Sequence, residues 1–295
     1  MKNIKRFIAL VIALTVLTTP TFALIGCKEE NTVSLPTPPT QEETEEITPP
    51  IVEEPPLQEE EETPPVSIPT PPVTENQPTV TPVITNVQYV RCTGNNVNLR
   101  SGAGTEYTVI GQAQSSDSFV VLEKKDGWYK TYHRGKVAYI DAAYASVFTL
   151  EKSKDEEVED VLNEGYKLMG VPYVYGAVRL HDGKGNLLKG FTAQKFDCSS
   201  LVQYIFYKGA DELLDVTTRL QSVQGKPVKK ADLQRGDCIY FTNESRKHLT
   251  GVERIGHVAV YLGDNYILHT ASDYARIEKM SATRWSHYIE ARRFI

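Results

Sequence analysis

The stretch Phe196-Asp197-Cys198-Ser199-Ser200 decides how the second half of this chain folds. Asp197 is a good helix-capping residue, and the apolar residues that follow it recur at the spacing of a helix with one buried face. These apolar residues are Leu201, Val202, Ile205 and Phe206. Cys198 therefore falls in the first turn of a predicted helix. Free backbone N–H groups and the helix dipole favour a thiolate at that position, and the thiolate is the reactive form of cysteine.

Two histidines downstream lie on predicted neighbouring strands. His257 begins one run of strand-forming residues, and His269 lies in the next run, which starts after the turn signal Gly263-Asp264-Asn265. A three-residue loop pairs Leu262 with Tyr266 and makes the two histidines diagonal neighbours on one face. A two-residue loop places them on opposite faces. We predict the three-residue loop, because it brings both imidazoles to the cysteine.

One thiol and two imidazoles are side chains that can together form an activated nucleophile. In this prediction His257 takes the proton from Cys198 and later returns it to a leaving amine, while His269 holds the first imidazole in the useful tautomer. This chemistry needs no metal and no organic cofactor. A zinc site made of Cys198, Cys238, His257 and His269 is an alternative, but it lacks the short paired spacings of structural zinc ligands.

These segments resemble the NlpC/p60 family of bacterial cell-wall cysteine peptidases over roughly residues 155–295. The Asp-Cys-Ser, Gly-His-Val and late His motifs occur in the family's order. The resemblance implies a papain-like α+β fold in which Cys198, His257 and His269 are catalytic. It also implies that Tyr173, from a Pro-Tyr segment, helps the Cys198 backbone N–H to stabilise an oxyanion.

The residues around the nucleophile leave two interpretations open. Asp197 and Ser199 either contact the amino group of the substrate or cap the helix. Upstream of them, residues 179–191 are an extra stretch that departs from the family pattern. Its sequence Asp182-Gly183-Lys184-Gly185-Asn186 is typical of a hairpin tip. We expect this insertion to form a wall of the cleft.

Residues 86–149 are predicted to form a smaller domain in front of the catalytic domain at 150–295. Short strand-like runs separated by turn residues indicate a small β-barrel. The motifs Asn98-Leu99-Arg100-Ser101-Gly102 and Gly127-Trp128-Tyr129 resemble the bacterial SH3 domain. That resemblance implies a module that binds wall components or forms part of the active-site rim.

The start of the chain predicts export. Residues 1–6 are basic, and the apolar core at residues 7–17 is too short to span a bilayer comfortably. Leu24-Ile25-Gly26-Cys27 resembles the lipobox of bacterial lipoproteins. This resemblance implies a signal peptide over residues 1–26 and lipidation of Cys27, which would anchor the protein to a membrane. Ordinary signal cleavage with Cys27 incidental is the alternative.

Residues 27–85 are predicted to be an unfolded tether, and their net charge is opposite in sign to that of the folded residues 86–295. Residues 27–85 are rich in Pro, Glu and Thr and cannot bury enough apolar surface to fold, so they predict an extended spacer. The formal net charge is −6, with three positive charges in residues 1–27 and thirteen Glu against one Lys in residues 28–85. Residues 86–295 therefore keep a small positive excess of three, which suits an anionic polymer but does not support nucleic-acid binding.

Together these features predict an exported, lipid-anchored cysteine peptidase that hydrolyses amide bonds in peptidoglycan stem peptides. By resemblance the bond joins γ-D-glutamate to the following diamino acid, cut by a dipeptidyl-peptidase or a D,L-endopeptidase. The alternatives are an N-acetylmuramoyl-L-alanine amidase, an acyltransferase and a non-catalytic wall-binding lipoprotein. The expected partners are peptidoglycan or muropeptides and, through the lipid, the outer face of the cell membrane or the outer membrane. We expect a monomer.

Overall fold

The computed structural model describes residues 86–295, which are mostly strand with few helices. The predicted signal peptide, the lipidated Cys27 and the Pro-rich spacer lie outside the described residues. The strands are β1 (Asn86–Cys92), β2 (Val97–Arg100), β3 (Val109–Ala113), β4 (Ser118–Val120), β5 (Glu123–Lys125), β6 (Trp128–His133), β7 (Lys136–Asp141), β8 (Ala145–Glu151), β9 (Lys226–Val228), β10 (Cys238–Phe241), β11 (His257–Gly263), β12 (Tyr266–Ala271), β13 (Tyr274–Lys279) and β14 (Tyr288–Arg293). The helices are α1 (Glu156–Lys167), α2 (Cys198–Ala210), α3 (Thr218–Gln221) and α4 (Ala282–Ser286), with short 3-10 helices at Ala142–Tyr144, Lys230–Asp232 and Gly251–Arg254. Between residues 86 and 295, no helix has the length and apolar character that crossing a bilayer requires.

The strands form two antiparallel sheets. The smaller sheet has the order β3-β2-β7-β6-β5, and the larger one has the order β8-β1-β4-β13-β12-β11-β10-β14-β9. Three strands from the predicted barrel, β1, β4 and β8, therefore belong to the sheet that carries the histidines. Within this sheet, the pairing of Ser118 on β4 with Ile277 on β13 links the two parts. The predicted domain boundary after residue 149 lies inside β8.

A turn of the barrel part caps the end of α1. The backbone N–H groups of Arg134 and Gly135 donate to the carbonyls of Met169 and Lys167 at 2.8 and 2.7 Å. The Nε of Arg134 donates to the Gly170 carbonyl at 2.7 Å. Carbonyl groups at a helix C-terminus have no hydrogen-bond donors within the helix, and this turn supplies donors to them. The barrel part is thereby fixed against the part that carries the nucleophile.

Helices α1 and α2 pack against each other, and α2 also contacts β11 and β12. Asp155 caps α1 by accepting from the backbone N–H of Glu157 at 3.0 Å. Gly209 of α2 permits the close approach of the helices, because a Cβ there would lie 2.4 Å from the backbone of Val161. The nucleophile helix thus packs on the strands that bear the histidines, which is consistent with the predicted papain-like arrangement.

Arg235 lies at the centre of a buried polar cluster that joins the two parts of the chain. Its Nε and Nη2 donate to the two carboxylate oxygens of Glu159 at 2.6 and 3.0 Å. Nη2 also donates to the hydroxyls of Tyr166 and Tyr89 at 2.7 and 2.9 Å, and Nη1 donates to the Leu262 carbonyl at 3.0 Å. Burial disfavours the charged guanidinium, but the two tyrosines and the glutamate outweigh burial and raise the pKa of Arg235. The side chains of Arg235 and Glu159 are only 5% and 7% exposed, so this ion pair is removed from water.

His133 is a buried histidine at the joint between the two parts. Its ring lies between Gly111 and Gly170, where an added Cβ would be 2.3 and 2.2 Å from ring atoms. Among the described residues, neither of its ring nitrogens has a hydrogen-bond partner. Burial, and then the charge of Arg134, lower the pKa of His133 to about 4. The ring is therefore neutral in the folded protein near neutral pH.

We expect His133 to make the folded protein sensitive to acid. The unfolded chain takes up this proton near pH 6.5 and the folded protein only near pH 4, so the contribution to stability is complete above pH 6.5 and is lost as the pH falls toward 4. The loss is about 3 kcal/mol over that range. Denaturant unfolding on both sides of that range should show that His133→Phe loses less stability than the wild type. His248→Gln changes an exposed histidine and should follow the wild type, whereas equal losses for wild type and His133→Phe would contradict the expectation.

Candidate active site

Cys198 is the first residue of α2, and Asp197 caps that helix. Asp197 Oδ1 accepts from the backbone N–H of Ser200 at 2.8 Å, and Ser200 Oγ accepts from the backbone N–H of Asp197 at 2.9 Å. This is a reciprocal capping box. The second carboxylate oxygen of Asp197 accepts from the Gly176 N–H at 3.2 Å and from Arg179 Nη2 at 3.3 Å. Both oxygens of Asp197 are thus engaged within the protein, and the capping interpretation describes its contacts.

Arg179, at the start of the predicted insertion, contacts both residues that flank the nucleophile. Besides Asp197, its Nη2 donates to Ser199 Oγ at 3.3 Å, and its Nε donates to the Val216 carbonyl. Ser199 Oγ in turn donates to Asp197 Oδ1 at 3.0 Å. The insertion closes into a short hairpin, and Arg179 lines the cleft at Cys198. Of residues 179–191, Arg179 lines this cleft, and the wider role of the insertion as a cleft wall stays a prediction.

The hairpin of β11 and β12 holds the two histidines, but its loop differs from the predicted one. Gly263 pairs with Tyr266 across a two-residue turn whose residues both have positive φ, 45° and 65°. A bulge at Leu262 shifts the register by one residue, so that Val260 pairs with Leu268 as a three-residue loop predicts. The predicted loop length is wrong, because the bulge rather than the loop supplies the extra residue. The predicted proximity of the two histidines is confirmed.

The histidines contact each other and a carboxylate that the sequence analysis missed. His257 Nε2 lies 2.9 Å from His269 Nδ1. His269 Nε2 lies 3.3 Å from Glu278 Oε1, which is an ion-pair distance. The two groups are poorly aligned for a hydrogen bond. Glu278 Oε1 accepts from Arg284 Nη2 at 2.9 Å. Burial raises the pKa of Glu278, but His269 and Arg284 outweigh burial and lower it to about 2. Glu278 is therefore a carboxylate at neutral pH.

The register of β13 brings Glu278 to the histidines. His269 pairs with Arg276 and Ile267 pairs with Glu278, so Glu278 is a diagonal neighbour of His269 on the same face. The alternation of residues along β13 already predicts that Arg276 and Glu278 lie on the same face of the strand. The sequence does not show which residues of β12 they oppose, because that depends on where the turn at Ser272 begins.

The Cys198 thiol is held against the start of β11. The ladder between β11 and β12 ends at Val260 and Leu268, and beyond it the backbone N–H of Val258 lies near enough to the Cys198 sulfur to lower the pKa of the thiol. Burial, and then the charge of Asp197, raise the pKa of Cys198 to about 12, although backbone hydrogen bonds oppose the shift. Burial therefore opposes the thiolate that the sequence predicts, because desolvation favours the protonated sulfur in the protein without substrate.

Both imidazoles at this site are neutral. Burial, then His269 and Arg284, lower the pKa of His257 well below its usual value. Burial also lowers the pKa of His269, although Glu278 opposes the change. A neutral thiol and a neutral imidazole can form a reactive pair only by moving a proton, which requires a nitrogen with a free lone pair.

The Glu278 carboxylate determines where the imidazole protons lie. A carboxylate only accepts, so we assign the proton of His269 to Nε2, which leaves its Nδ1 as an acceptor. His257 then donates its Nε2–H to His269 Nδ1. In this tautomer, Nδ1 of His257 carries a free lone pair and can take a proton from a thiol.

Cys198 and Tyr173 line one cleft of about 450 Å³. Burial, and then Cys198, raise the pKa of Tyr173, so its phenol keeps its proton and can donate a hydrogen bond. All of the lining residues lie between Tyr173 and Gly256, and within residues 86–295 no residue of the barrel part contributes to it. A larger cavity of about 540 Å³ lies between the start of α1 and β14, and it includes none of the predicted site residues.

The described cysteines and histidines do not assemble a metal site. Cys92, Cys198 and Cys238 are each buried and free. Between residues 86 and 295, no group of three or more His, Cys, Asp or Glu residues is arranged to hold a metal ion. The zinc alternative from the sequence therefore has no assembled ligand set in this part of the chain.

Comparison with known families identifies both parts of the folded chain. The model described as NlpC/P60 family matches residues 170–293, and the model described as Bacterial SH3 domain matches residues 95–146. The two resemblances inferred from the sequence are thus confirmed for these segments.

Similar curated proteins are hydrolases and peptidases. A gamma-DL-glutamyl hydrolase of Bacillus subtilis (strain 168) is 29% identical over 179 residues, which are 60% of this chain and 36% of that protein. A gamma-D-glutamyl-L-lysine dipeptidyl-peptidase of Bacillus cereus is 30% identical over 112 residues, 38% of this chain and 28% of that protein. The chain therefore spans about a third of the length of these relatives. Among solved structures, an NlpC/P60 family protein from Bacillus cereus aligns at a TM-score of 0.37 and 22% identity, covering 72% of this chain and 64% of that one.

Proposed function

We propose that this chain, whose residues 170–293 match the NlpC/P60 family, is a cysteine peptidase that cuts an amide bond in peptidoglycan stem peptides. The observation that carries the proposal is the set of contacts from His257 through His269 to Glu278, on the two strands against which the helix of Cys198 packs. The bond we propose joins γ-D-glutamate to the following diamino acid. Its support is the Bacillus cereus relative, which is named a gamma-D-glutamyl-L-lysine dipeptidyl-peptidase, while the name of the Bacillus subtilis relative states only a gamma-DL-glutamyl hydrolase.

The proposed reaction begins with a proton transfer. Cys198 Sγ gives its proton to Nδ1 of His257 as the sulfur attacks the carbonyl carbon, and Nε2–H of His257 remains bonded to His269. The Cys198 backbone N–H and the Tyr173 hydroxyl stabilise the oxyanion. The amide C–N bond then breaks, and His257 returns the proton to the leaving amine. Water, activated by the same imidazole, hydrolyses the thioester and restores the thiol.

The residues that line the cleft lead us to propose a D,L-endopeptidase rather than a dipeptidyl-peptidase. Among residues 86–295, none of the barrel part lines this cleft, and we propose that a longer peptide is accepted there. Asp197, the candidate for binding a free amine, instead pairs with Arg179 and caps α2. We propose that a blocked N-terminus, as in an intact stem peptide, is accepted.

Mass spectrometry of the products tests this function. The substrates are L-Ala-γ-D-Glu-diaminopimelate, the same peptide with an N-acetyl group, and intact peptidoglycan. We expect cleavage of all three after γ-D-glutamate. Cleavage of the free peptide alone would make the enzyme a dipeptidyl-peptidase, and release of stem peptides from muramic acid would make it an N-acetylmuramoyl-L-alanine amidase. Cleavage of none would leave a wall-binding protein.

We expect Glu278→Gln to slow the reaction and to change its pH profile. The negative charge of Glu278 raises the pKa of both histidines, so its loss should move the acid limb of kcat/KM to lower pH. Loss of tautomer control should lower kcat by roughly 10- to 100-fold, as for partners that orient metal-bound histidines. A pH profile with unchanged acid limb and kcat would contradict this positioning role. Glu290→Gln, on β14, is the matched control.

We further propose that the protein acts in the cell envelope while anchored through Cys27. The envelope location is supported by the wall hydrolases among its relatives, and the anchor by the lipobox-like sequence. Mass analysis of the protein extracted from membranes tests the anchor. Acyl chains on Cys27 support it, and an unmodified Cys27 in a secreted product contradicts it.

A further inference from the structure

Two arginines at the rim of the Cys198 cleft share one carboxylate. Arg219, on α3, and Arg246, in the segment after β10, both line this cleft. Arg219 Nε lies 3.5 Å from Glu253 Oε1, and Arg246 Nη1 lies 3.3 Å from Glu253 Oε2. Two guanidinium groups thus meet a single carboxylate, and one positive charge remains unbalanced at this rim.

The Glu253 carboxylate is the most exposed member of this group. Its side chain is 61% exposed, against 32% for Arg219 and 27% for Arg246. Exposed ion pairs of this kind contribute little to stability. Arg246 also has a second anchor, because its Nη1 donates to the Glu253 backbone carbonyl at 2.8 Å. The carboxylate can therefore move into solvent while Arg246 stays in place.

The third arginine of the cleft is already engaged. Arg179 is paired with Asp197 and also donates to the Val216 carbonyl, so its charge is balanced inside the wall. The unbalanced charge lies with Arg219 and Arg246. A guanidinium presents parallel N–H donors that match the two oxygens of a carboxylate, so this rim suits an anionic group of the same kind as Glu253.

The substrates of the proposed function carry such a group. A peptide bond made through the γ-carboxyl of glutamate leaves the α-carboxylate free, close to the bond that is cut. The diamino acid on the other side of that bond carries a second carboxylate when it ends the peptide. Either group has the charge and shape of the Glu253 side chain.

We propose that Arg219 and Arg246 form a carboxylate-binding subsite for the stem peptide, which Glu253 occupies until the substrate displaces it. This inference rests on the proposed peptidase function and deepens it, because it makes a free carboxylate on the peptide a determinant of specificity. It assigns Arg219 and Arg246 to substrate binding rather than to the chemical step.

Three peptides and four variants test the subsite. The peptides are N-acetyl-L-Ala-γ-D-Glu-L-Lys, the same peptide with the glutamate α-carboxyl amidated, and the same peptide with the C-terminal carboxyl amidated. The variants are Arg219→Gln, Arg246→Gln, Glu253→Gln and, as a control on the same surface segment, Lys247→Gln. Lys247 is paired with Glu244 and does not line the cleft.

We expect the wild type to cut the dicarboxylate peptide about 10- to 100-fold more efficiently in kcat/KM than one of the two amidated peptides, the effect of a lost charge-assisted contact. The peptide that suffers the loss identifies the carboxylate that is bound. Each arginine variant should bring this ratio toward one, mainly through KM. Glu253→Gln should lower KM for the dicarboxylate peptide, and Lys247→Gln should leave the ratio unchanged.

The possible failures are distinguishable. If the wild type cuts all three peptides equally well, or if neither arginine variant changes its preference, the subsite is wrong and the peptidase function stands. If Lys247→Gln changes the ratio as much as the arginine variants do, the preference comes from the general charge of the surface and the subsite is again wrong. If the wild type cuts none of the peptides, the peptidase function fails and the subsite fails with it.

Discussion

Replacing His257 with Ala is expected to lower kcat/KM by about 10²- to 10⁴-fold, the usual contribution of a positioned general base. The effect should be large because burial keeps the Cys198 thiol protonated, with its pKa raised to about 12. Without an imidazole to accept the proton, the thiolate that attacks the substrate cannot form at neutral pH. Steady-state kinetics on the N-acetylated tripeptide measure the loss.

Two controls separate chemistry from folding in the His257→Ala experiment. The variant should still be folded in the absence of denaturant, and added imidazole should restore part of its activity. His248→Ala, which changes an exposed histidine, should have wild-type kinetics. A His257→Ala enzyme with wild-type kcat/KM would remove His257 from the reaction.

Replacing Arg235 with Met is expected to destabilise the folded protein by about 3–5 kcal/mol, which is the range for removing one partner of a buried ion pair. Glu159 would lose both hydrogen bonds from the guanidinium and would be left buried without its cationic partner. The hydroxyls of Tyr89 and Tyr166 would lose a donor as well. Because the cluster joins β1 to α1, the change should loosen the barrel part from the catalytic part. Denaturant unfolding measures the loss.

A double variant tests the physical reason for that loss. Arg235→Met combined with Glu159→Leu removes both charges, so it should be more stable than Arg235→Met alone. Arg254→Met removes an exposed arginine and should change stability by well under 1 kcal/mol. If the double variant were less stable than Arg235→Met by the full effect of Glu159→Leu, the two side chains would not be coupled.

The local patterns in the sequence identify most of the site. Asp197 before an apolar helical stripe places Cys198 at the start of α2, and the strand pattern around His257 and His269 gives the hairpin. The loop length is mispredicted because a bulge and a shorter turn produce the same register beyond Leu262 as a longer loop. Sequence periodicity cannot separate these two solutions, since both place the histidines on one face.

Other features depend on packing between distant segments. Glu278 reaches His269 through the pairing of β13 with β12, and Arg284 reaches Glu278 from α4. The protonated state of Cys198 follows from burial against β11, which the helix dipole argument leaves out. The shared sheet of β4 and β13 is a long-range pairing that no local pattern specifies. These contacts depend on strand register, helix position and burial, so they become visible only in the folded structure.

The most direct test of the central claim is mass spectrometry of the products formed from N-acetyl-L-Ala-γ-D-Glu-diaminopimelate by the wild type and by Cys198→Ala. A nucleophilic Cys198 predicts that the wild type releases N-acetyl-L-Ala-γ-D-Glu and free diaminopimelate, and that the folded Cys198→Ala variant releases neither. Release of the same products by Cys198→Ala at the wild-type rate would contradict the claim that this thiol performs the reaction.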